Sequence, residues 1–297
     1  QESRGLGDVY KRQELPLLGQ KYYDVKSNPT AYSSSGFYFN WLVENKINYN
    51  TTIKDAHSIN VVLVQSAQKE TYKGDNVTAT DFPNDYIQTI SGGTVTKGAS
   101  DKTQWTIASY LARMQYSYKG KYMASAAIRA DGSSRFGKNN RWGYFPSASL
   151  AWRISGEDFF MKAKSLSFVD DLKLRASYGV TGNFQIGNYD HLSLMALDNY
   201  VLGTGNGQLV NGYKPSTIKN EDLSWEKNAM VNVGVDLQMF KGLLGLTVDY
   251  YNTNTSNMLL NVPVPHLTGY STALMNIGKV NNRGWDCLLY TSDAADD

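Results

Sequence analysis

The feature that most constrains this chain is a strict alternation of side chains between positions 231 and 252. Apolar residues occupy every second position in 231–237, with polar residues or glycine between them. The pattern restarts in 244–250, after Lys241 and Gly242. Because a period of two is that of a β-strand, this stretch predicts two antiparallel strands joined by a tight turn. One face of the hairpin is apolar and the other is polar, and the hairpin alone does not decide which face meets water.

Similar alternation covers most of the chain and predicts nine strands. They are residues 35–50, 58–72, 103–118, 121–130, 144–154 and 171–181, two strands within 223–258, and a last strand that begins near Asn276. The 26 glycines and 21 tyrosines of the 297-residue chain also favour β-structure with many turns. The one helical turn that we predict lies around "EDFFMKAKSL", in a connection at 155–169. The predicted fold class is therefore all-β.

The connections between these strands alternate in length. Tight turns are predicted at Lys119 and Gly120 and at 241–242, and a short break at 54–57. The longer loops are the polar stretch that follows residue 72 and continues to about 102, then 131–143, 183–221 and 259–276. In transmembrane barrels of the outer-membrane type, periplasmic turns are short and outer loops are long. We therefore predict a partial transmembrane antiparallel up-and-down β-barrel, with a soluble all-β sandwich as the alternative.

Charged side chains on the predicted strands share the phase of serine, glycine and glutamine, opposite the apolar residues. In a barrel this polar face lines the lumen, because a charge facing lipid near the bilayer midplane costs about 2 to 4 kcal/mol. We therefore predict that the following residues face the lumen: Arg113, Arg129, Arg175, Asp236 and Asp249. The arginines can guide an anionic or hydroxyl-rich solute, or they can brace the wall through ion pairs. A sandwich tolerates such charges on its outer faces, but the alanines opposite them would give it a thin core.

Aromatic residues gather near the predicted strand ends. Three tyrosines flank the turn at Lys119, and Trp142, Tyr144 and Phe145 lie beside the 131–143 loop. Such rings form interfacial girdles in membrane proteins, although aromatic residues also favour strands in general. Aromatic residues in or beside the outer loops are candidate substrate contacts, with loop packing or girdle anchoring as the alternative role: Trp142, Tyr200, Tyr213, Trp225 and Tyr270.

Composition and motifs argue against several other functions. A formal net charge of +2 gives no excess of positive charge for binding nucleic acid. A single cysteine, Cys287, excludes a disulfide framework within the chain. The three histidines lie far apart in the sequence, so we predict no metal site and no cofactor. The glycine-rich "GTGNG" at 203–207 lacks the strand and helix of a phosphate loop. Since no convergent acid and base group is found either, we predict that the chain is not an enzyme.

The sequences at the two ends of the chain differ in character from the rest. There is no starting methionine and no secretory signal, so we expect a piece of a longer protein. The stretches "SRGLGDVYKRQ" at 3–13 and "CLLYTSDAADD" at 287–297 resemble translated adapter sequence. We therefore predict non-native segments at 1–13 and 287–297, with a partial barrel domain at 14–286.

Several long stretches resemble a single family. They are "RADGSSRFGKNNRWGYFPSASLAWRIS" (129–155), "DLKLRASYGVTGNFQIGNY" (171–189), "LSWEKNAMVNVGVDL" (223–237), "NIGKVNNRGWD" (276–286) and "FPNDYIQTIS" (82–91). All of them resemble the carboxyl-terminal barrel of the SusC-type (SusC/RagA) TonB-dependent outer-membrane transporters of Bacteroidetes. The stretches occur in the order that this family has.

The resemblance implies a 22-stranded barrel in the cell outer membrane that imports oligosaccharides or peptides. The implied partners are a SusD-like surface lipoprotein that acts as a lid, and the TonB-ExbB-ExbD system. TonB acts through an amino-terminal part with a plug, which this sequence lacks, and about nine strands cannot close a 22-stranded wall. The alternative function is a soluble all-β carbohydrate-binding module, in which the same aromatic residues would form the binding platform.

Overall fold

The computed structural model describes residues 12–14, 30–83, 86–87, 89–203 and 207–291. These residues form strands β1 (Arg12–Glu14), β2 (Thr30–Ile53), β3 (His57–Thr80), β4 (Thr94–Tyr118), β5 (Tyr122–Ser133), β6 (Trp142–Arg153), β7 (Val169–Asn183), β8 (Met195–Leu197), β9 (Tyr200–Leu202), β10 (Gln208–Val210), β11 (Tyr213–Pro215), β12 (Glu226–Met239), β13 (Leu244–Pro263) and β14 (Thr272–Thr291). They also form helix α1 (Asp158–Met161) and 3-10 turns at Ile90–Gly92, Ile154–Gly156, Lys164–Leu166 and His266–Thr268. Across the described ranges, every helix is too short or too polar to cross a membrane.

Ten strands are hydrogen-bonded in the order β1-β2-β3-β4-β5-β6-β7-β12-β13-β14. Each strand pairs with its neighbour in the sequence, apart from the excursion through β8 to β11 that separates β7 from β12. From β4 to β14, neighbouring strands of this sheet are all antiparallel. The nine predicted strands are present as β2 to β7 and β12 to β14. This up-and-down order confirms the predicted all-β fold.

Three of the predicted short connections are tight turns with two central residues in the left-handed region. These pairs have positive φ: Lys54 and Asp55 (52° and 50°), Lys119 and Gly120 (51° and 65°), Lys241 and Gly242 (60° and 83°). Positive φ at both central positions defines the type I′ turn, whose twist matches that of antiparallel strands. The tight turns are therefore confirmed as hairpin turns.

Several strands continue further than the sequence pattern predicted. β3 ends at Thr80 and β4 begins at Thr94, so the predicted loop from 73 to about 102 is wrong, and the connection is only 81–93. Likewise, the loop between β13 and β14 is 264–271 instead of 259–276. Ladder hydrogen bonds join backbone groups, so pairing continues where both side-chain faces are polar and the period of two is no longer visible.

The longest connection, 184–225, contains short strands that the sequence pattern did not reveal. β8 pairs with β11, and β9 pairs with β10, so the chain runs out and back as a narrow two-stranded arm. The base of the arm is closed by the Ser216 amide, which donates to the Leu194 carbonyl at 2.7 Å. Strands of three residues are too short to show a clear alternation, which explains why the prediction assigned only a loop here.

The predicted non-native ends lie partly outside the described residues, which exclude 1–11 and 292–297. Within the described part, β1 includes residues 12–13 and β14 continues through 287–291. Thr291 pairs with Leu244 at the end of the β13–β14 ladder. The origin of these end segments stays a prediction.

The chain divides into two compact units. The first comprises residues 1–43 and 68–106. Within it, Glu70 Oε1 accepts a hydrogen bond from the Trp105 indole at 3.0 Å, and the rings of Tyr38 and Tyr72 lie 4.6 Å apart.

The second unit comprises residues 44–67 and 107–297 and contains all the site residues predicted above. A buried hydrophobic cluster forms where β6 meets the connections that follow β5 and β7.

Candidate functional site

Strand register places all five predicted polar-face residues on the same face of the sheet in the second unit. Residues directly opposite each other in a ladder point to one face, as do residues two apart along a strand. The pairs that connect the set are Arg113 with Ala127, Arg129 with Phe145, Ala151 with Arg175, Arg175 with Gly234, and Gly234 with Asp249. We call this face the polar face, and the opposite one the apolar face.

An ion-pair network crosses three strands of the polar face. Arg175 on β7 donates from Nε and Nη2 to the two carboxylate oxygens of Asp236 on β12, at 2.8 and 2.9 Å. Its Nη2 also donates to Asp249 Oδ2 on β13, at 3.1 Å. Thr247 Oγ1 donates to Asp236 Oδ1 at 3.2 Å, and Lys173 Nζ lies 3.8 Å from Asp236 Oδ2. The arrangement braces β7, β12 and β13 against each other.

Gly234 makes this network possible. It lies between Arg175 and Asp249 in the strand register. A Cβ atom there would overlap Asp249 Oδ1 and come within 2.9 Å of Arg175 Nη2. The glycine at this position in the alternation therefore lets the guanidinium reach across one strand to the next.

A second network lies on β4 and β5. Arg129 Nε is 2.8 and 2.7 Å from the two carboxylate oxygens of Asp131, and Arg129 Nη2 donates to Ser109 Oγ at 3.2 Å. Asp131 and Ser109 are buried. Arg113 is exposed and, unlike the other two arginines, makes no ion pair within the ranges that the structure describes. Of the three predicted arginines, Arg113 is thus the one free to meet a solute.

A buried aromatic cluster closes one end of the polar face. Phe136, Phe145, Leu223 and Trp225 pack together, and we call them the loop cluster. The Trp225 ring lies 4.8 Å from that of Phe136, 5.4 Å from that of Phe145 and 5.8 Å from that of Phe184. Its Nε1 donates to the Arg141 carbonyl at 3.2 Å.

The loop cluster changes the interpretation of two predicted residues. Trp225, a predicted substrate contact, is only 2% exposed, and the surrounding rings cover it. Phe145, grouped with the girdle in the sequence, instead points to the polar face and belongs to this cluster. A usable signal was present, since Phe136, Leu223 and Trp225 are isolated apolar residues within otherwise polar loop sequence.

Side-chain amides fix the segment that carries Leu223 and Trp225. Asn276 Nδ2 donates to the Ser224 carbonyl at 2.8 Å, while the Ser224 amide donates to Asn276 Oδ1 at 2.9 Å. Asn140 Nδ2 donates to the Asp222 carbonyl at 2.9 Å, and Asn220 Nδ2 to the Leu274 carbonyl at 2.9 Å. The segment 220–225 is thereby docked on β14 and on the β5–β6 connection.

The remaining predicted aromatic contacts lie in three separate places. Tyr200 and Tyr213 are both 67% exposed on the narrow arm, where they lie on β9 and β11. Trp142 lies on the apolar face and stacks with Tyr110 at 6.0 Å, the geometry of a girdle residue. Tyr270 is half-buried in the connection between β13 and β14. The structure therefore does not bring the five residues together into one pocket.

The apolar face is exposed and ends in an aromatic belt beside the tight turns. The Tyr122 and Trp152 rings are stacked at 6.4 Å with an interplanar angle of 7°, and Tyr118 lies 6.4 Å from Tyr122. Tyr116 OH hydrogen-bonds to His57 Nδ1 at 2.7 Å. Large apolar side chains on this face that are exposed include Met114, Ile128, Leu150, Leu174, Val231, Val233 and Leu289.

Comparison with known proteins agrees with this geometry. Residues 6–291 match the family described as TonB dependent receptor-like, beta-barrel. The chain is 41% identical over 255 residues to TonB-dependent receptor P39 of Formosa agariphila, an alignment that covers 85% of this chain and 24% of that protein. It is 35% identical over 186 residues to TonB-dependent receptor SusC of Bacteroides thetaiotaomicron, covering 62% of this chain and 18% of SusC.

A solved structure is also similar. The RagAB peptide transporter matches with a TM-score of 0.82 and 27% identity, over 92% of this chain and 30% of that one. The chain spans about a quarter of the length of the curated relatives from Formosa agariphila that it matches.

Proposed function

Because the chain belongs to the TonB-dependent receptor β-barrel family, we propose that it forms part of the barrel wall of an energy-coupled importer. The location of such a barrel is the outer membrane, as in its relative SusC. Import in this proposal depends on movement of other parts of the full-length protein and involves no bond chemistry in the wall. The soluble binding module considered from the sequence is set aside, because the matched family is a membrane barrel.

In the proposed orientation the polar face lines the lumen and the apolar face meets lipid. The observation that carries this proposal is the strand register, which puts the Arg175, Asp236 and Asp249 network on one face and exposed aliphatic residues on the other. Turning Arg175 toward lipid would cost about 2 to 4 kcal/mol near the midplane, and each aspartate would add a smaller cost. Facing the lumen, they brace the wall and remain in contact with water.

The proposed cargo is an oligosaccharide or a peptide, and the proposed partners are a SusD-like surface lipoprotein and the TonB-ExbB-ExbD system. The support comes from the similarity to SusC and to RagAB, of which the latter is described as a peptide transporter. Three exposed side chains of this chain are suited to touch the cargo or the lipoprotein: Arg113, Tyr200 and Tyr213. A guanidinium binds carboxylate or hydroxyl groups, and a tyrosine ring stacks on a sugar face or an apolar side chain.

Cysteine labelling tests the orientation. Asn232→Cys and Val233→Cys form a matched pair, because they are consecutive on β12 and lie on opposite faces. Both would be made in the full-length protein with its native cysteines replaced by serine and treated in native membranes with a water-soluble maleimide. We expect labelling at position 232 and protection at position 233. The opposite pattern would refute the proposed orientation.

A depletion experiment tests import. A strain that lacks the full-length gene, and one that lacks TonB, would be grown beside the parent on a mixture of peptides and oligosaccharides. We expect the same class of solute to persist in both mutant cultures. Normal depletion of both classes by both mutants would reject the proposed transport.

A further inference from the structure

The connection between β6 and β7 is held against the apolar side of the sheet. The Glu157 carboxylate accepts a hydrogen bond from Trp152 Nε1 at 3.2 Å and from Lys121 Nζ at 3.3 Å. Trp152 lies on the apolar face, opposite Tyr122 on β5. Glu157 immediately precedes α1, so these two hydrogen bonds place the start of the helix beside the aromatic belt.

The short helix itself exposes large apolar side chains. Phe159 is 60% exposed and Met161 is 65% exposed, whereas Phe160 between them is 8% exposed and packs inward. Two further apolar side chains of the same connection, Leu166 and Phe168, are also exposed. We call these four exposed side chains the patch, and such a concentration of apolar groups in one short surface connection marks an interaction site, because exposed apolar groups are unfavourable in water.

The surroundings of this patch indicate what covers it. The patch continues the apolar face, since Glu157 joins it to Trp152 and through that ring to the belt. Cationic side chains also lie at this end: Lys162 follows the helix and is exposed, and Lys119 Nζ lies 5.4 Å from the Tyr118 ring centroid. Aromatic rings and lysines together suit the boundary between acyl chains and anionic or zwitterionic headgroups.

We propose that residues 154–168 form a membrane foot, which inserts Phe159 and Met161 into the periplasmic leaflet of the outer membrane. The ligand of this surface is phospholipid. The foot rests on the proposed orientation of the apolar face toward lipid, and it adds a contact outside the strands. Its effect is to fix the depth of the short-turn end of the wall.

The hydrogen bonds at the start of this connection show that it turns toward the apolar face and does not extend below the lumen. The Arg153 side chain and Ser155 hydroxyl bind Asp171 on the polar-face side, so the chain starts from the lumen side at Ser155. Two residues later, Glu157 binds groups of the apolar-face belt. The connection therefore crosses outward over the end of the wall before α1 begins.

Site-directed spin labelling can test the foot in the full-length protein. Single cysteines would be introduced in a background whose native cysteines are replaced by serine, and the protein would be reconstituted in vesicles of phosphatidylethanolamine and phosphatidylglycerol. Labels at Phe159→Cys and Met161→Cys are the test positions. Asn232→Cys is the control, because position 232 lies on the polar face of β12 and, in the proposed orientation, meets lumen water.

Collision rates with oxygen and with a water-soluble nickel chelate report the depth of each label. We expect labels at 159 and 161 to collide mainly with oxygen, with an oxygen-to-nickel ratio at least threefold above that of the label at 232. Equal ratios at the three positions would reject the foot. Low collision with both reagents at 159 and 161 would also reject it, because such shielding indicates a protein contact.

A label at Val233→Cys separates failure of the foot from failure of the orientation. If 233 collides with oxygen while 159 collides with nickel, the strands face lipid as proposed and only the foot is refuted. If the label at 233 collides mainly with the nickel chelate, the proposed orientation is refuted, and the membrane foot, which rests on that orientation, is refuted as well.

Discussion

Arg175 and Asp236 form a two-pronged ion pair between β7 and β12, with nitrogen-to-oxygen distances of 2.8 and 2.9 Å. Their side chains are separated by 61 positions in the sequence and are each about one-third exposed. Bidentate guanidinium–carboxylate pairs are directional as well as strong, so this contact helps to define the register of the two strands.

Arg175→Gln is expected to destabilise the full-length protein by about 1 to 2 kcal/mol. This loss of unfolding free energy lies between the losses expected for breaking an exposed and a buried ion pair, because the Arg175–Asp236 pair is only partly covered. Urea unfolding in lipid vesicles, followed by tryptophan fluorescence, measures it. Arg113→Gln is the matched control and should change the unfolding free energy by less than about 0.5 kcal/mol, since Arg113 is exposed. Equal losses in the two variants would contradict the bracing role.

Gly234→Ala is expected to disrupt the same network by a steric route. The new Cβ would overlap Asp249 Oδ1 and lie 2.9 Å from Arg175 Nη2. Crowding of this kind costs about 1 to 3 kcal/mol. The control is Gly179→Ala on β7, where the nearest atom to a new Cβ is Ser147 Cβ at an ordinary 3.6 Å. Unfolding midpoints should separate the two variants, and a tolerated alanine at 234 would show that the network can shift aside.

Trp225→Ala is expected to free the 184–225 connection. Truncating a buried tryptophan costs about 3 to 5 kcal/mol, and here the loss falls on a cluster that docks a loop onto the strands. Hydrogen exchange in segment 220–225 should become at least tenfold faster. Tyr213→Ala, at an exposed position on the arm, serves as the control and should leave exchange in that segment unchanged. Slow exchange in the Trp225 variant would mean that the amide contacts of Asn276 and Asn140 suffice.

Acidification is expected to release the β6–β7 connection. Hydrogen bonds from the Tyr122 hydroxyl, the Trp152 indole and Lys121 hold the pKa of Glu157 below its usual value. The pKa of Glu157 is therefore lower in the folded state than in the unfolded state, where it is about 4.3. The ionised carboxylate stabilises the folded connection at pH values above about 4.3, and this stabilisation is lost as the pH falls through the pKa of the folded state.

Hydrogen exchange in 154–168 between pH 6 and pH 3, corrected for intrinsic rates, measures this release. Protection should fall below about pH 4.3 in the wild type. Glu157→Gln cannot ionise, so its protection should be lower at pH 6 and should change little with pH. A wild-type profile that is flat over this range would contradict the role assigned to the carboxylate.

The alternation of side chains was sufficient to predict nine strands, the tight turns and the two faces. Arg113, Arg129, Arg175, Asp236 and Asp249 lie on one face, as their phase in the sequence predicted. This works because the period of two is a local property of extended backbone, and type I′ turns depend on the two residues at their centre.

The sequence by itself therefore determined where the nine long strands lie and which face their alternating residues take. Only the tertiary structure decided that Arg175 reaches Asp236 and Asp249 past Gly234, that Trp225 is buried against Phe136, and that β3 continues to Thr80. The physical reason is that side-chain phase is set locally, whereas partner choice, strand length and loop burial depend on backbone pairing and packing between residues far apart in the chain.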